Sequence, residues 1–478
     1  LDKSLFRKKP LETLLKQQGA QQFNKTMGAI DLTALGVGAI IGTGIFVLTG
    51  VAAAVYAGPA VILSFIISGS AAALAAICYA EMASMVPVAG SAYTYAYTSM
   101  GELTAWLIGW NLILEYLVAA GAVAVGWSAY FCDMLSSVGI DLPAFLTHSP
   151  FEGGIVNIPA VIIALLIAGV VIRGTKESAR ATKIIVGVKI LVVLLFIFVG
   201  LFHINRSNWT PFTPYGFTGV IQGAAIVFFA YIGFDAVATA AEEVRNPKRD
   251  LPRGIIASLL ISTVLYILVA WVLTGIASYK TLNTSSPIAA ALLSVGVRWA
   301  SALVSVGALA GLTSVLIAVI FAQSRVFYAM SRDGLLPPVF KTIHKKFHTP
   351  YIDTMIIGVL VALVGAFLPV RFIAEMANIG TLSALAAVAI GVILLRKKKP
   401  EMERPFKVPL SPWLPAASAL FSIYLMFNLP LATWIRFVVW IIIGIFIYYF
   451  YGYKHSELAN PRPRKGAGPA VRKKRKAA

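Results

Sequence analysis

Two short runs combine glycine with groups able to grip a charged solute: Ile41-Gly42-Thr43-Gly44-Ile45-Phe46 and Tyr231-Ile232-Gly233-Phe234-Asp235. Each interrupts an apolar stretch of helical length. Glycine is costly in a helix interior, and an aspartate among apolar residues costs more unless it is paired or faces a cavity. If the first helix unwinds at its glycines, the following half-helix starts with free N–H groups of Thr43, Gly44 and Ile45. Those amides, at the positive end of the half-helix dipole, suit an anion the size of a carboxylate. The upstream half ends in free carbonyls near Ile40, which suit an ammonium group. Unwinding at Gly233 frees the carbonyls of Phe229 and Ile232 for the same group, and Phe229, Tyr231 and Phe234 supply aromatic walls. Gly38, Gly42 and Gly44 would equally serve close packing between helices. Asp235 has two roles open to it, as N-cap of the following half-helix or as counter-charge to a cationic side chain.

Two further ionisable residues sit inside apolar stretches. Glu115 lies about twelve residues into its span, near mid-membrane at ~1.5 Å per residue. A side chain that short cannot reach either surface, so the carboxyl is protonated, paired or facing water, which makes it a candidate proton relay. Lys189 lies nearer one end of its span and has two readings. It snorkels to the surface, or it stands as an internal ammonium where a coupling cation would otherwise sit. A Lys189–Glu115 pair would let one proton alter both.

The elements that carry these residues are membrane helices. Of 478 residues, 59% are hydrophobic and 13% charged, and each apolar run of about 20 residues spans a ~30 Å hydrocarbon layer. Twelve spans are expected: 29–56, 59–84, 103–131, 158–172, 184–202, 218–241, 255–277, 299–324, 354–370, 379–395, 411–428 and 433–451, the last pair dividing near Pro430. The first starts near residue 29 and leads straight into others, unlike a cleaved leader. The net charge of +20 is distributed by side. With the N-terminus placed inside, the outer loops hold only Arg206, Lys280, Arg298 and Arg371 of the 40 Lys and Arg. All others except Lys189 and Arg436 fall in inner segments. That asymmetry puts both termini in the cytoplasm and makes anionic lipid, rather than nucleic acid, the partner of the basic termini.

Other features carry less. Cys78 and Cys132 give neither a disulfide framework nor metal spacing. His344 and His348 lie four apart without a third ligand, so no metal site is expected, and their loop is expected to pack as a short inner-face helix. Residues 1–28, with Leu5, Phe6, Leu11, Leu14 and Leu15, suit a surface helix or tail on the inner leaflet. The tail after Tyr453, ending Arg472-Lys473-Lys474-Arg475-Lys476, suits disorder. Glu81, Glu115 and Asp235 lie on separate helices with no nucleophile–base pairing, so no enzyme is expected.

Several motifs occur together: Ile41–Phe46; Pro87-Val88-Ala89-Gly90-Ser91-Ala92-Tyr93; Phe228–Asp235; Glu242-Glu243-Val244-Arg245-Asn246-Pro247; and Ser331-Arg332-Asp333-Gly334-Leu335-Leu336-Pro337. In this order the chain resembles the amino acid–polyamine–organocation (APC) superfamily over about residues 5–455, and is similar to bacterial homologues of the cationic amino acid transporters. The resemblance implies an all-α membrane protein of twelve helices, a five-plus-five inverted repeat of the leucine-transporter type with two additional C-terminal helices. Its segments would be 1–28, a basic cytoplasmic segment; 29–204 and 217–396, the two repeats; 411–452, the added helices; and 453–478, a basic tail. It further implies that carbonyls of Ile40, Phe229 and Ile232 hold an amino group and that the amides of Thr43 and Gly44 hold a carboxylate. Asp235 and Val319 would border the substrate side chain, with Gly42, Gly44 and Gly233 as the helix breaks. Lys189 would replace sodium, with Glu115 linked to it in proton coupling. Asn111 departs from the acid of close relatives, and twelve spans rather than fourteen place the chain with the bacterial branch.

The expected function is import of amino acids, arginine, lysine or ornithine first and neutral ones tolerated, by proton-coupled alternating access in the bacterial plasma membrane. No cofactor is expected beyond the proton. Obligate exchange, a permease for neutral amino acids such as alanine, and a membrane amino acid sensor or receptor are the alternatives. The chain leaves room for a small membrane-protein partner or a sterol.

Overall fold

The computed structural model describes residue 7 and residues 27–86, 91–137, 139–173, 178–241, 244–347 and 349–459. The expectations for the N-terminal amphipathic segment, for the tail beyond 459, and for Pro87–Gly90, Glu242, Glu243 and His348 lie outside them.

Among the described residues the chain is helical, with two isolated backbone bridges (Met27 with Val244, Ile343 with Pro350) and no β-strand. Helix α1 (Ala29–Ile40) is followed by a break, a wide π-type turn (Gly44–Leu48) and a helical continuation. Then come α2 (Val61–Met85), α3 (Ser91–Ser99), α4 (Glu102–Ser137), α5 (Ile158–Arg173), α6 (Ser178–Leu201) and α7 (Gly216–Val227). The second half holds α8 (Pro247–Ile276), α9 (Pro287–Ser294), α10 (Arg298–Arg332), α11 (Tyr351–Phe367), α12 (Val370–Lys398), α13 (Trp413–Phe427) and α14 (Leu431–Ile447). Among the described residues, eight helical stretches are long and apolar enough to cross a bilayer, and four apolar helices (α1, α5, α11 and α13) are shorter.

Proline marks several of the starts. It stands within the first turn of α8 and α9 and caps α12 and α14, where its missing N–H costs nothing. Pro430 thereby divides the last pair of helices. The expected helix between α10 and α11 is reduced to one 3-10 turn, Pro338–Lys341. There the His344 Nδ1 accepts the amides of Lys346 and Phe347 at 3.1 and 3.2 Å, so this ring closes its own turn.

Helix α1 packs against α8, α6 and α10, while α7 packs against α2. Ser64 and Ser68 of α2 donate to the carbonyls of Val220 and Ala224 on α7 at 2.8 and 2.6 Å. A hydroxyl returned to a neighbouring backbone suits an interface in lipid, where polar groups find no water. On the outer surface of the bundle, Leu166, Leu191, Phe198, Leu260, Val264 and Phe446 are exposed, as side chains facing hydrocarbon would be.

The basic end is tied by buried acids. Glu81 accepts Arg396 Nε at 2.9 Å and the Val408 amide at 2.7 Å, with Arg404 at 3.6 Å. Glu102 accepts hydroxyls of Tyr97, Tyr448 and Ser456, and Asp333 accepts Tyr93 at 2.8 Å. Gly334 has φ +80° and passes so close to the His455 carbonyl that a Cβ would lie 2.3 Å from it. The motif around Asp333 therefore clamps the chain after α14 onto the bundle. At the opposite end Glu375 faces Arg371 (3.3 Å), Arg436 (3.7 Å) and Thr433 (2.9 Å), and Arg371 covers the Tyr56 ring at 5.2 Å.

Candidate functional site

Helix α1 ends because Ile41 turns extended, at φ −75°, ψ 98°. The Ile45 and Phe46 amides both turn back to the Gly42 carbonyl at 3.2 Å. An unbroken helix would pair the carbonyls of Gly38 and Ile41 with amides four residues on. Here Lys189 of α6 takes them, its Nζ donating at 2.7 Å to Gly38 and 2.8 Å to Ile41, with Ser314 Oγ at 3.3 Å. An ammonium has three hydrogens, and all three are used. Lys189 is fully buried at the negative end of the α1 dipole, where a cation is stabilised. It does not snorkel.

The second break follows α7. A 3-10 turn, Phe228–Tyr231, tightens the chain, Ile232 becomes extended at φ −60°, ψ 136°, and Gly233 takes φ +113° before a last helical turn, Ala236–Thr239. That φ lies where side chains are rarely accommodated, so glycine is required. Asn378 of α12 donates to the Ala225 and Ile226 carbonyls at 2.8 and 3.0 Å as the geometry changes.

The breaks meet. A Cβ on Gly44 would lie 2.3 Å from the Ala230 Cα, and one on Gly233 would lie 3.0 Å from the carbonyl of Ala39. The hydroxyl of Tyr266, from α8, bridges them, 2.7 Å from the Ile40 carbonyl and 2.8 Å from that of Ala230. A Cβ on Gly42 would lie 3.2 Å from the Val315 side chain of α10, and Val319, one turn further, shares that face. Thr43 reaches the Ala122 carbonyl of α4 at 3.4 Å, and Tyr130 of the same helix donates to Phe46 at 2.9 Å. The Phe229 carbonyl accepts the Ile232 amide at 3.2 Å. Ile40, Thr43, Gly44, Phe229, Ile232, Asp235 and Val319 are all buried.

The acids behave differently from one another. Asp235 begins the last turn without accepting a capping hydrogen bond; its carboxylate instead accepts the hydroxyl of Tyr116, on α4. Glu115, which precedes Tyr116, is 1% exposed, and among the described residues neither carboxyl oxygen has a well-formed hydrogen bond, the hydroxyl of Thr381 on α12 lying beside it. Its Cβ lies toward Gly380 of α12. The expected Lys189–Glu115 pair does not form among the described residues: Lys189 approaches α1 from α6 and is saturated by backbone carbonyls and Ser314, while Glu115 looks toward α12.

Sequence reasoning missed Tyr266, Tyr116, Ser314 and Asn378. Their signal is weak but physical: a buried tyrosine hydroxyl, or a serine or asparagine in an apolar span, must find a partner. The partner here is a backbone break, or the acid beside it.

A family model described as amino acid permease matches residues 27–448, and the chain belongs to that family, a membrane transporter of the APC superfamily. It is an integral membrane protein that moves its solute rather than converting it. Among curated proteins it is 49% identical over 457 residues to a methylthioribose transporter of Bacillus subtilis (strain 168), covering 95% of this chain and 99% of the relative. It is 47% identical over 461 residues, covering 95% and 99%, to the branched-chain amino acid permease BcaP of the same organism. A vacuolar cationic amino acid transporter 4 from Arabidopsis thaliana is 41% identical over 419 residues, covering 85% and 69%.

Proposed function

We propose that the chain imports amino acids across the bacterial plasma membrane by proton-coupled alternating access, with neutral aliphatic substrates preferred. Both termini lie in the cytoplasm, the chain crosses twelve times, and residues 29–204 and 217–396 form inverted repeats, with α13 and α14 added. The observation that carries this reading is the meeting of two helix breaks, Gly44 against Ala230 and Gly233 against Ala39. Such paired breaks place half-helix amides and carbonyls around one point at mid-membrane. Thr43 and Gly44 present the carboxylate end, and Ile40, Phe229 and Ile232 the amine end. Lys189 fills the place of a coupling cation, so no sodium is used. A carboxylate without a well-formed hydrogen bond is costly in a low-dielectric interior, which makes Glu115 the group where one proton changes the energy most.

The preference for neutral substrates rests on two observations. Asp235 already accepts the Tyr116 hydroxyl, and Val319, Phe229 and Ile232, the other residues assigned to the substrate, are apolar and buried. The branched-chain permease relative supports the same range. Cationic substrates are the second reading, favoured by two buried acids and by the Arabidopsis relative. Purified protein in liposomes, given labelled leucine, tests both. Uptake should rise with an inward proton gradient into liposomes empty of amino acid, and leucine, valine and alanine should compete. Dependence on internal amino acid would replace import by exchange. Binding without flux would make the chain a sensor, and competition by arginine, lysine and ornithine alone would install the second reading.

A further inference from the structure

An open groove of about 590 Å³ lies at the basic end of α8, against the segment joining α12 to α13. Its lining includes Lys248, Arg249, Arg253, Ile256, Leu260 and Phe406. We propose that this groove binds an anionic glycerophospholipid, the phosphate at Arg249 and Arg253 and an acyl chain along Ile256 and Leu260.

Arg249, Arg253, Ile256 and Leu260 follow one another at helical spacing and form one stripe. The stripe changes from cationic to apolar along about 16 Å of helix, the order in which a phospholipid presents headgroup and chain. Arg249 and Arg253 are exposed, and neither pairs with a carboxylate among the described residues. Leu260 is 57% exposed and the next turn continues with Val264 at 57%, so the apolar half opens onto the bundle's outer surface. Phe406 closes the other wall. Lys248 is held by Glu403 at 3.0 Å, with both side chains exposed. That pair joins α8 to the far wall, and at such exposure it is weak enough for a phosphate to compete. The proposed topology, on which the leaflet assignment rests, puts the groove at the cytoplasmic surface, where anionic lipids attract Lys and Arg. The binding itself does not depend on proton coupling or on the substrate.

Native mass spectrometry of the delipidated, full-length protein tests this by adding phosphatidylglycerol or phosphatidylcholine. Phosphatidylglycerol should be retained and phosphatidylcholine should not. Arg249→Ala with Arg253→Ala should weaken phosphatidylglycerol binding by about tenfold or more, given what each basic residue contributes near a membrane surface. Lys345→Ala with Lys346→Ala, which removes equal charge elsewhere, should leave it unchanged. Leu260→Ser should weaken the lipid while glycerol 3-phosphate fails to displace it. Equal loss in both double variants, equal binding of phosphatidylcholine, or displacement by glycerol 3-phosphate would each overturn the proposal. Transport is not part of the readout, so its outcome is separate from that of the function proposed above.

Discussion

Glu115 and Lys189 share a membrane interior and solve its problem in opposite ways. Lys189 has every hydrogen placed, on Gly38, Ile41 and Ser314; among the described residues Glu115 has no well-formed hydrogen bond to either oxygen, only the Thr381 hydroxyl beside it. Under the proposed function, Lys189 would then belong to the structure of the first break and Glu115 would be the group that changes state. Glu115→Gln should bind substrate and still exchange it, yet lose the acceleration given by an inward proton gradient. The loss should fall within the roughly 5–150-fold range of ordinary coupling free energies. Uptake at matched and opposed pH in liposomes measures it, and undiminished acceleration would remove Glu115 from coupling. The sequence made both residues conspicuous, since an ionisable group in an apolar span needs a reason. It did not disclose that they are apart, because Lys189 is taken up mainly by backbone carbonyls, which no residue type announces, and Glu115 faces the small residues of α12.

At the scale of the element, the breaks were legible as Gly42-Thr43-Gly44 and Gly233-Phe234-Asp235, because glycine and aspartate contradict the apolar helix around them. Their mutual contact was not legible, since Ala39 and Ala230 look like any other small residues. Gly44→Ala would force a methyl to 2.3 Å from the Ala230 Cα, and the helices would have to separate. Transport should be abolished while the protein still inserts, checked by uptake beside size-exclusion behaviour in detergent. Tyr266→Phe takes away the hydroxyl next to the Ile40 and Ala230 carbonyls. Losing it should destabilise the fold by about 1–3 kcal/mol, the penalty of a buried unpaired group, and should lower the thermal transition in detergent. Tyr266→Trp would not restore it, whereas a native transition temperature in Tyr266→Phe would show the bridge to be dispensable. The division of the last two helices, by contrast, follows from Pro430 alone.

Across the whole molecule, the two ends are held by different chemistry. The basic end is fixed by Glu81 and Glu102, each with several partners, and by Asp333 with Tyr93, and the other end by Glu375 with Arg371, Arg436 and Thr433 and by Asp133 with Ser286. Glu375→Gln should loosen only that second end. Amide exchange around Tyr56 should accelerate by about tenfold, equivalent to ~1.4 kcal/mol, with exchange near Glu81 unchanged. Uniform acceleration at both ends would instead mean general destabilisation. Legibility divides along the same line, since the charge asymmetry between the ends is written in Lys and Arg positions, while the packing that joins them is carried by alanine, serine and tyrosine. Where the breaks meet, Tyr266 has one hydrogen to share between the Ile40 and Ala230 carbonyls. Under the proposed function a substrate ammonium would bring three more to the same neighbourhood. Tyrosine and cargo would then compete for the same acceptors, so the hydroxyl that ties the two breaks together is also the one a bound amine would relieve.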